Sequence, residues 1–271
     1  MKFKLLFTLF NLTLILFLGV IILLPILIMG PAVTPSFWRI NWLLILLWSF
    51  FLIAFNIFYF TNRELFILLE KEDWPALVRH LEERVIQKGN YSPRLVKLLA
   101  NSYLVLSDSA AVMSLENKTA IAKPALVNTN ALVFGTARIL AHDVSGAVRF
   151  FQTRKDTVKP ALKNWVHWYC GFAMLLNSQF EEAANEFSVL ARFSPDGVVT
   201  ALSSYFIVEF IGKISPEKEA EFREHSSMGR ERVLKALPAI ENWKKEVSRL
   251  STEIHAAAIT KYLDETSKWL Y

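Results

Sequence analysis

The chain has 271 residues, with 30 Lys and Arg against 25 Asp and Glu, a net charge of +5, and one cysteine. One cysteine excludes an intrachain disulfide framework, and basic residues spread over the chain do not make the concentrated face that nucleic-acid binding needs. The charge is distributed unevenly: the first sixty residues hold three charged side chains, Lys2, Lys4 and Arg39, and no acid.

Two uncharged apolar runs, about 5–30 and 42–60, fill that opening segment. A span needs roughly 20 mostly apolar residues to cross a hydrocarbon core of roughly 30 Å, and in lipid the backbone must satisfy its own hydrogen bonds. Both runs are therefore predicted to be membrane helices, with residues 1–60 forming a two-span hairpin. The first run is too long for the roughly 7–15 residue apolar core of a signal peptide. The connector, with Pro31 and Pro35, is short. Lys2, Lys4, Arg63 and Lys71 flank one side and Arg39 the other, so basic residues place the amino terminus and everything after residue 61 in the cytoplasm of a bacterial inner-membrane protein. Trp38, Trp42 and Tyr59 fall at the expected interface belts.

The remaining 211 residues carry all 25 acids and 27 of the 30 basic residues, the composition of an ordinary folded domain. Residues 164–196 read as two helices. Trp165, Trp168, Phe172 and Leu175 recur at helical spacing in the first, Asn177-Ser178-Gln179 breaks it, and Phe180, Ala183, Phe187 and Leu190 line the second. Gly171, Met174, Phe180, Ala183, Phe187 and Pro195 sit where the tetratricopeptide repeat places small, large, aromatic, alanine, aromatic and proline residues, and the pattern resembles that family. His167 and Leu190 depart from it.

Partial matches recur 36 residues earlier (Gly135, Val144, Ala147, Phe151), then 35 earlier (Ala100, Tyr103) and 35 earlier again (Trp74, Leu77, Leu81). The second helix of the unit that begins at Pro93, through Ser109, Val112 and Glu116, leaves the pattern. The resemblance implies an all-α chain in which residues 61–197 form a TPR-like α-solenoid, each unit touching its neighbours. No glycine or proline stands between Trp42 and Trp74, so the second span is expected to run on as the first helix of that array.

Residues 198–271 fit the register poorly and read as C-terminal capping helices. Ser215-Pro216-Glu217 has the order of a helix start. Trp243, Val247, Leu250, Ile254 and Ala257 predict one final helix after Pro238.

Nothing points to chemistry. The five histidines show no i, i+4 pair for a metal, the nine glycines form no phosphate loop, and Cys170 has no cationic sequence neighbour to activate it. The expectation is a protein that is not an enzyme and takes no cofactor, metal, nucleic acid or small-molecule substrate. It is instead a membrane-anchored scaffold that binds protein partners, with an extracytoplasmic accessory of an envelope machine, or a membrane enzyme, as the alternatives.

Repeat solenoids bind on the face lined by first helices. In family members that grip a terminal carboxylate, Lys97 and Asn101 match the first two clamp positions, with Arg94 beside them; Val133, Trp165 and Tyr169 do not match the rest. The predicted partner surface is thus a mixed groove, basic near Arg94 and Lys97, with the amide of Asn101 beside them, and aromatic near Trp165, Trp168 and Phe172.

Overall fold

The computed structural model describes residues 3–212, 218–251 and 253–271. Lys2 and the expected helix start at Ser215, Pro216 and Glu217 lie outside the described residues. All regular structure among the described residues is helical. The chain divides into two compact units, Met1–His80 and Leu81–Tyr271.

The first unit is built on two long helices, α1 (Phe3–Met29) and α2 (Thr34–Lys71). Both are long and apolar enough to cross a membrane, and almost none of the residues in their apolar stretches is buried. Gly30, at φ +80°, makes the turn between them, a conformation that costs glycine nothing. The two helices are clasped by polar groups as well as by rings. The Asn56 amide donates to Asn11 Oδ1 at 2.7 Å and the Trp48 indole donates to the Leu14 carbonyl at 3.1 Å. Phe7 stacks on Tyr59 with ring centroids 3.6 Å apart. At about 1.5 Å per residue α2 is about 57 Å long, well beyond the hydrocarbon core, and it runs unbroken from Trp42 through Phe60 to Lys71. Its one irregularity is Asn41, at φ −104° and ψ 17°.

The helix α3 (Trp74–Glu82) follows and straddles the division between the units; a π-helical turn at Glu83–Gln87 extends it into the second. From there the chain is a succession of short helices: α4 (Pro93–Val105), α5 (Ser109–Ala122), α6 (Ala125–Thr129), α7 (Ala131–Leu140), α8 (Val144–Gln152), α9 (Pro160–Leu176), α10 (Phe180–Phe193), α11 (Gly197–Phe206) and α12 (Glu219–Ala236). Sequence neighbours pack on one another: α4 on α5, α7 on α8, α9 on α10 and α11 on α12.

Four turns share one geometry. Glu72, Ser107, His142 and Ser178 sit in the left-handed region at φ 54° to 61°. At each, the left-handed residue's N–H bonds three residues back and the next residue's N–H five back: Ser107 to Leu104 and Asp108 to Tyr103, His142 to Ile139 and Asp143 to Arg138, and likewise at 72–73 and 178–179. This double bond closes the helix by satisfying its last carbonyls. In three of the four, the following Asp (Asp73, Asp108, Asp143) caps the next helix by accepting from the N–H of Ala76, Ala111 or Gly146. The left-handed residues are 35, 35 and 36 positions apart, the spacing seen in the sequence, here produced by the turns.

Between turns, glycine admits an aromatic ring. A Cβ on Gly135 would lie 2.0 Å from the Phe151 ring, and one on Gly171 3.1 Å from Phe187; both rings are fully buried. The rest of the core is an aromatic cluster in which Trp168 lies within about 6 Å of Tyr169, Phe172, Phe187 and Phe206, ring centre to ring centre.

The single final helix expected through Ala257 is not formed. α13 (Ile240–Leu250) stops, a separate turn α14 (Ile254–Ala257) follows, and α15 (Thr260–Leu270) closes the chain against α11. The break falls where Glu253 adopts extended backbone, φ −96° and ψ 126°, and reaches Lys97. Its charge is used across the fold rather than along a helix.

Gly135→Ala tests the ring contact. Alanine gains about 1 kcal/mol of helix propensity, but displacing Phe151 should cost more, for a net loss of about 1–2 kcal/mol. Urea unfolding of the purified chain in detergent should show that loss, and Gly135→Ala with Phe151→Leu should recover part of it. An unchanged midpoint would mean the core accommodates the methyl.

Candidate functional site

The predicted partner residues do not form an open groove. Arg94 is exposed on the first turn of α4. Lys97, one turn on, is already engaged: its ammonium lies 2.6 Å from Glu253 Oε2. Asn101 is half-buried, and its Oδ1 is enclosed without a donor. Trp165 is 8% exposed, and its indole donates to Asp196 Oδ2 at 3.1 Å, the carboxylate that also caps α11 through Val198 and Val199. Trp168 is fully buried and is a core residue, not a partner contact.

What covers this face is the chain's own tail. The Tyr169 hydroxyl donates to the His255 carbonyl at 2.8 Å and stands 3.2 Å from His255 Nδ1. The imidazole sits edge-on to Trp165, centroids 5.4 Å apart. His255, Ala256 and Ile259 are buried. Burial pushes His255 down to about 4, with Lys97 adding to the fall and Glu253 opposing it; it also raises the Tyr169 hydroxyl far above its ordinary range. The sequence showed no sign of this contact, because Lys97 and Glu253 stand 156 positions apart.

One group of titratable residues has the composition of a catalytic set. Glu186 on α10 binds both Lys155 and His167 Nδ1, the latter at 2.8 Å, and Cys170 lies one turn after His167 on α9. Burial alone would raise the Glu186 carboxyl, but the bonds from His167 and Lys155 outweigh it and hold it below its usual range. The same burial pushes the Cys170 thiol up to about 12, where it is protonated and unreactive. This is an ion-pair knot joining the loop after α8 to α9 and α10, with the thiol beside it as packing.

A second cluster went unread in the sequence. Glu116 on α5 is 5% exposed and accepts from Arg138 Nη2 at 2.5 Å, with Arg154 Nη2 at 4.0 Å. Arg138 also reaches Asp143 at 3.3 Å. Both guanidinium groups lie over the Phe150 ring, 5.3 and 3.9 Å from its centroid. There was a signal: Glu116 stands 35 residues before Phe151 and 71 before Phe187, so a carboxylate occupies the place of a core ring. A buried carboxylate requires cationic partners.

The arrangement defines an all-helical protein with two apolar helices of membrane-spanning length and a charged, tightly packed helical body. A family model described as an uncharacterised Treponema protein matches residues 111–271, more than half of the chain, and the chain belongs to that family. An uncharacterised protein of Treponema pallidum (strain Nichols) is 34% identical over 175 residues, covering 65% of this chain and 54% of its own length; the chain thus spans about half of that relative. No solved structure matches. These matches overturn the tetratricopeptide assignment. Its small and aromatic positions reflect how any close pair of helices packs, and the hairpin spacing comes from the shared turns.

The tail contact carries a pH signature. Unfolded, His255 titrates near 6.5; folded, it resists protonation until about 4. Between those values the unfolded chain binds the extra proton, so stability present above pH 6.5 falls as pH drops toward 4, by about 3 kcal/mol from this group. Unfolding followed by tryptophan fluorescence across that range should show the decline, and His255→Gln should flatten it. An identical slope in the variant would assign the acid sensitivity elsewhere.

Proposed function

We propose that this protein is a scaffold held in the bacterial inner membrane by its first two helices, with a stack of helical hairpins, arranged as a solenoid, that binds protein partners in the cytoplasm. The observation that carries the reading is the outward apolar surface of α1 and α2, a surface stable only when covered by lipid. The basic residues support the orientation: Lys4, Arg63 and Lys71 flank one end of the hairpin, and Arg39 the other. The scaffold role is supported by the helical body, whose candidate chemical group, around Glu186, is consumed in ion pairs and whose thiol is buried.

Two measurements test it. Alkaline carbonate should leave the protein in the membrane pellet; release into the supernatant would remove the anchor. A reporter active only in the cytoplasm, fused after Tyr271, should be active. Activity of a periplasm-specific reporter in its place would reverse the topology and make the protein an extracytoplasmic accessory of an envelope machine.

A further inference from the structure

The Glu116 cluster has more cation than it uses. Arg138 is held by Glu116 and Asp143, yet its Nε–H is enclosed without an acceptor. Arg154 donates to the Phe150 carbonyl at 3.2 Å and the Thr153 hydroxyl at 3.1 Å, and its nearest carboxylate oxygen is only at 4.0 Å. Arg149, on the same helix as Phe150, is exposed and makes no ion pair among the described residues. Three guanidinium groups thus face two carboxylates around a cavity of about 300 Å³. Burial and the neighbouring Arg138 disfavour the charged form of Arg154, against the pull of Glu116; the one unbalanced positive charge among the lining groups is what a further anion would answer.

The cavity does not end at the charges. It shares Thr153 and Arg154 with a second one of about 380 Å³, whose wall includes Ala120, Pro124, Ala125 and Val127. Next in sequence to Ala120, though in the wall of neither cavity, Ile121 is 87% exposed, the barest of the large apolar side chains among the described residues of Leu81–Tyr271. A cationic recess leading to an apolar ledge matches neither a free inorganic ion nor a headgroup alone, because both would leave the ledge uncovered.

We infer that this groove docks an acidic segment of a partner protein, with carboxylates paired to Arg149 and Arg154 and an apolar side chain on the ledge of Ala120, Pro124 and Ala125. Guanidinium pairs with carboxylate through two parallel hydrogen bonds, which gives direction as well as attraction. The inference rests on the scaffold reading and names the surface and the chemistry of its partner. It also moves the partner surface away from the face the tail covers.

The test uses the full chain in detergent and a labelled short peptide of Glu, Ala and Leu, with a twin in which every Glu is Gln. Fluorescence anisotropy should show the Glu peptide binding, the twin binding at least about tenfold more weakly, and Arg149→Gln weakening the Glu peptide by about tenfold, roughly 1.4 kcal/mol. Arg149 is exposed and outside the Glu116 pairs, so its variant should keep the parent's unfolding midpoint; Arg154→Gln is a second variant, read only if it does too. Equal binding of the twin, or undiminished binding by Arg149→Gln, would overturn the proposal. So would inorganic phosphate or anionic phospholipid vesicles that bind through Arg149 while the Glu peptide does not, which would make the groove a phosphate or headgroup site. A native partner that crosslinks to the chain and is retained in full by Arg149→Gln would overturn this groove and leave the scaffold reading standing.

Discussion

Four successive helix pairs each close on one residue whose backbone is left-handed, and the packing between those turns follows from it. A non-glycine residue at φ near +60° costs about 1 kcal/mol, and Glu72, Ser107, His142 and Ser178 all accept that cost. In return the helix ends on satisfied carbonyls and the chain reverses within two residues. A turn this tight brings the two helices close enough that a side chain at their crossing has no room. Gly135 and Gly171 supply the gap, and Phe151 and Phe187 fill it.

The same geometry explains why the helical body carries its charges where it does. Where Phe151 and Phe187 supply rings, the earlier hairpin has Glu116, and a carboxylate at that depth must be compensated. Arg138, from the end of α7, and Arg154, from the loop after α8, converge on it from later in the chain. Glu186 repeats the theme one position before Phe187, held by Lys155 and His167. The Glu186 knot joins α9 and α10, which the aromatic core also joins, so there polar and apolar contacts specify one arrangement together.

The helical class and the two apolar helices were legible because both depend on local composition: an uncharged run of sufficient length and aromatic residues at helical spacing need no knowledge of what lies opposite. The hairpin spacing was legible for the same reason, although the family attached to it was wrong. What could not be read were contacts set by distant partners. Lys97, Asn101 and Trp165 have the right chemistry for a binding face, and nothing near them in sequence announces that Glu253 and His255 occupy it. Trp168 looks the same by spacing whether it faces solvent or sits in the core. The heptad-like run from Trp243 to Ala257 fails at Glu253, which is extended and pairs with a lysine in a different part of the fold. Glu116 was the one long-range feature with a local trace, a charge where its sister hairpins carry phenylalanine.

The tail contact also sets an order of events during synthesis. His255, Ala256 and Ile259 are buried against helices translated far earlier, so a ribosome that has finished α9 leaves one side of Trp165 and Tyr169 uncovered until residues 253–270 emerge. Contacts of such separation close late, since the loop entropy they remove is lost before any reward arrives. A chain interrupted in that interval would display an aromatic face with an unmatched lysine beside it, the kind of surface chaperones and proteases read as unfinished. The cover over this aromatic face is thus supplied by a segment remote from it in the chain, and the face is finished only when residues 253–270 have docked.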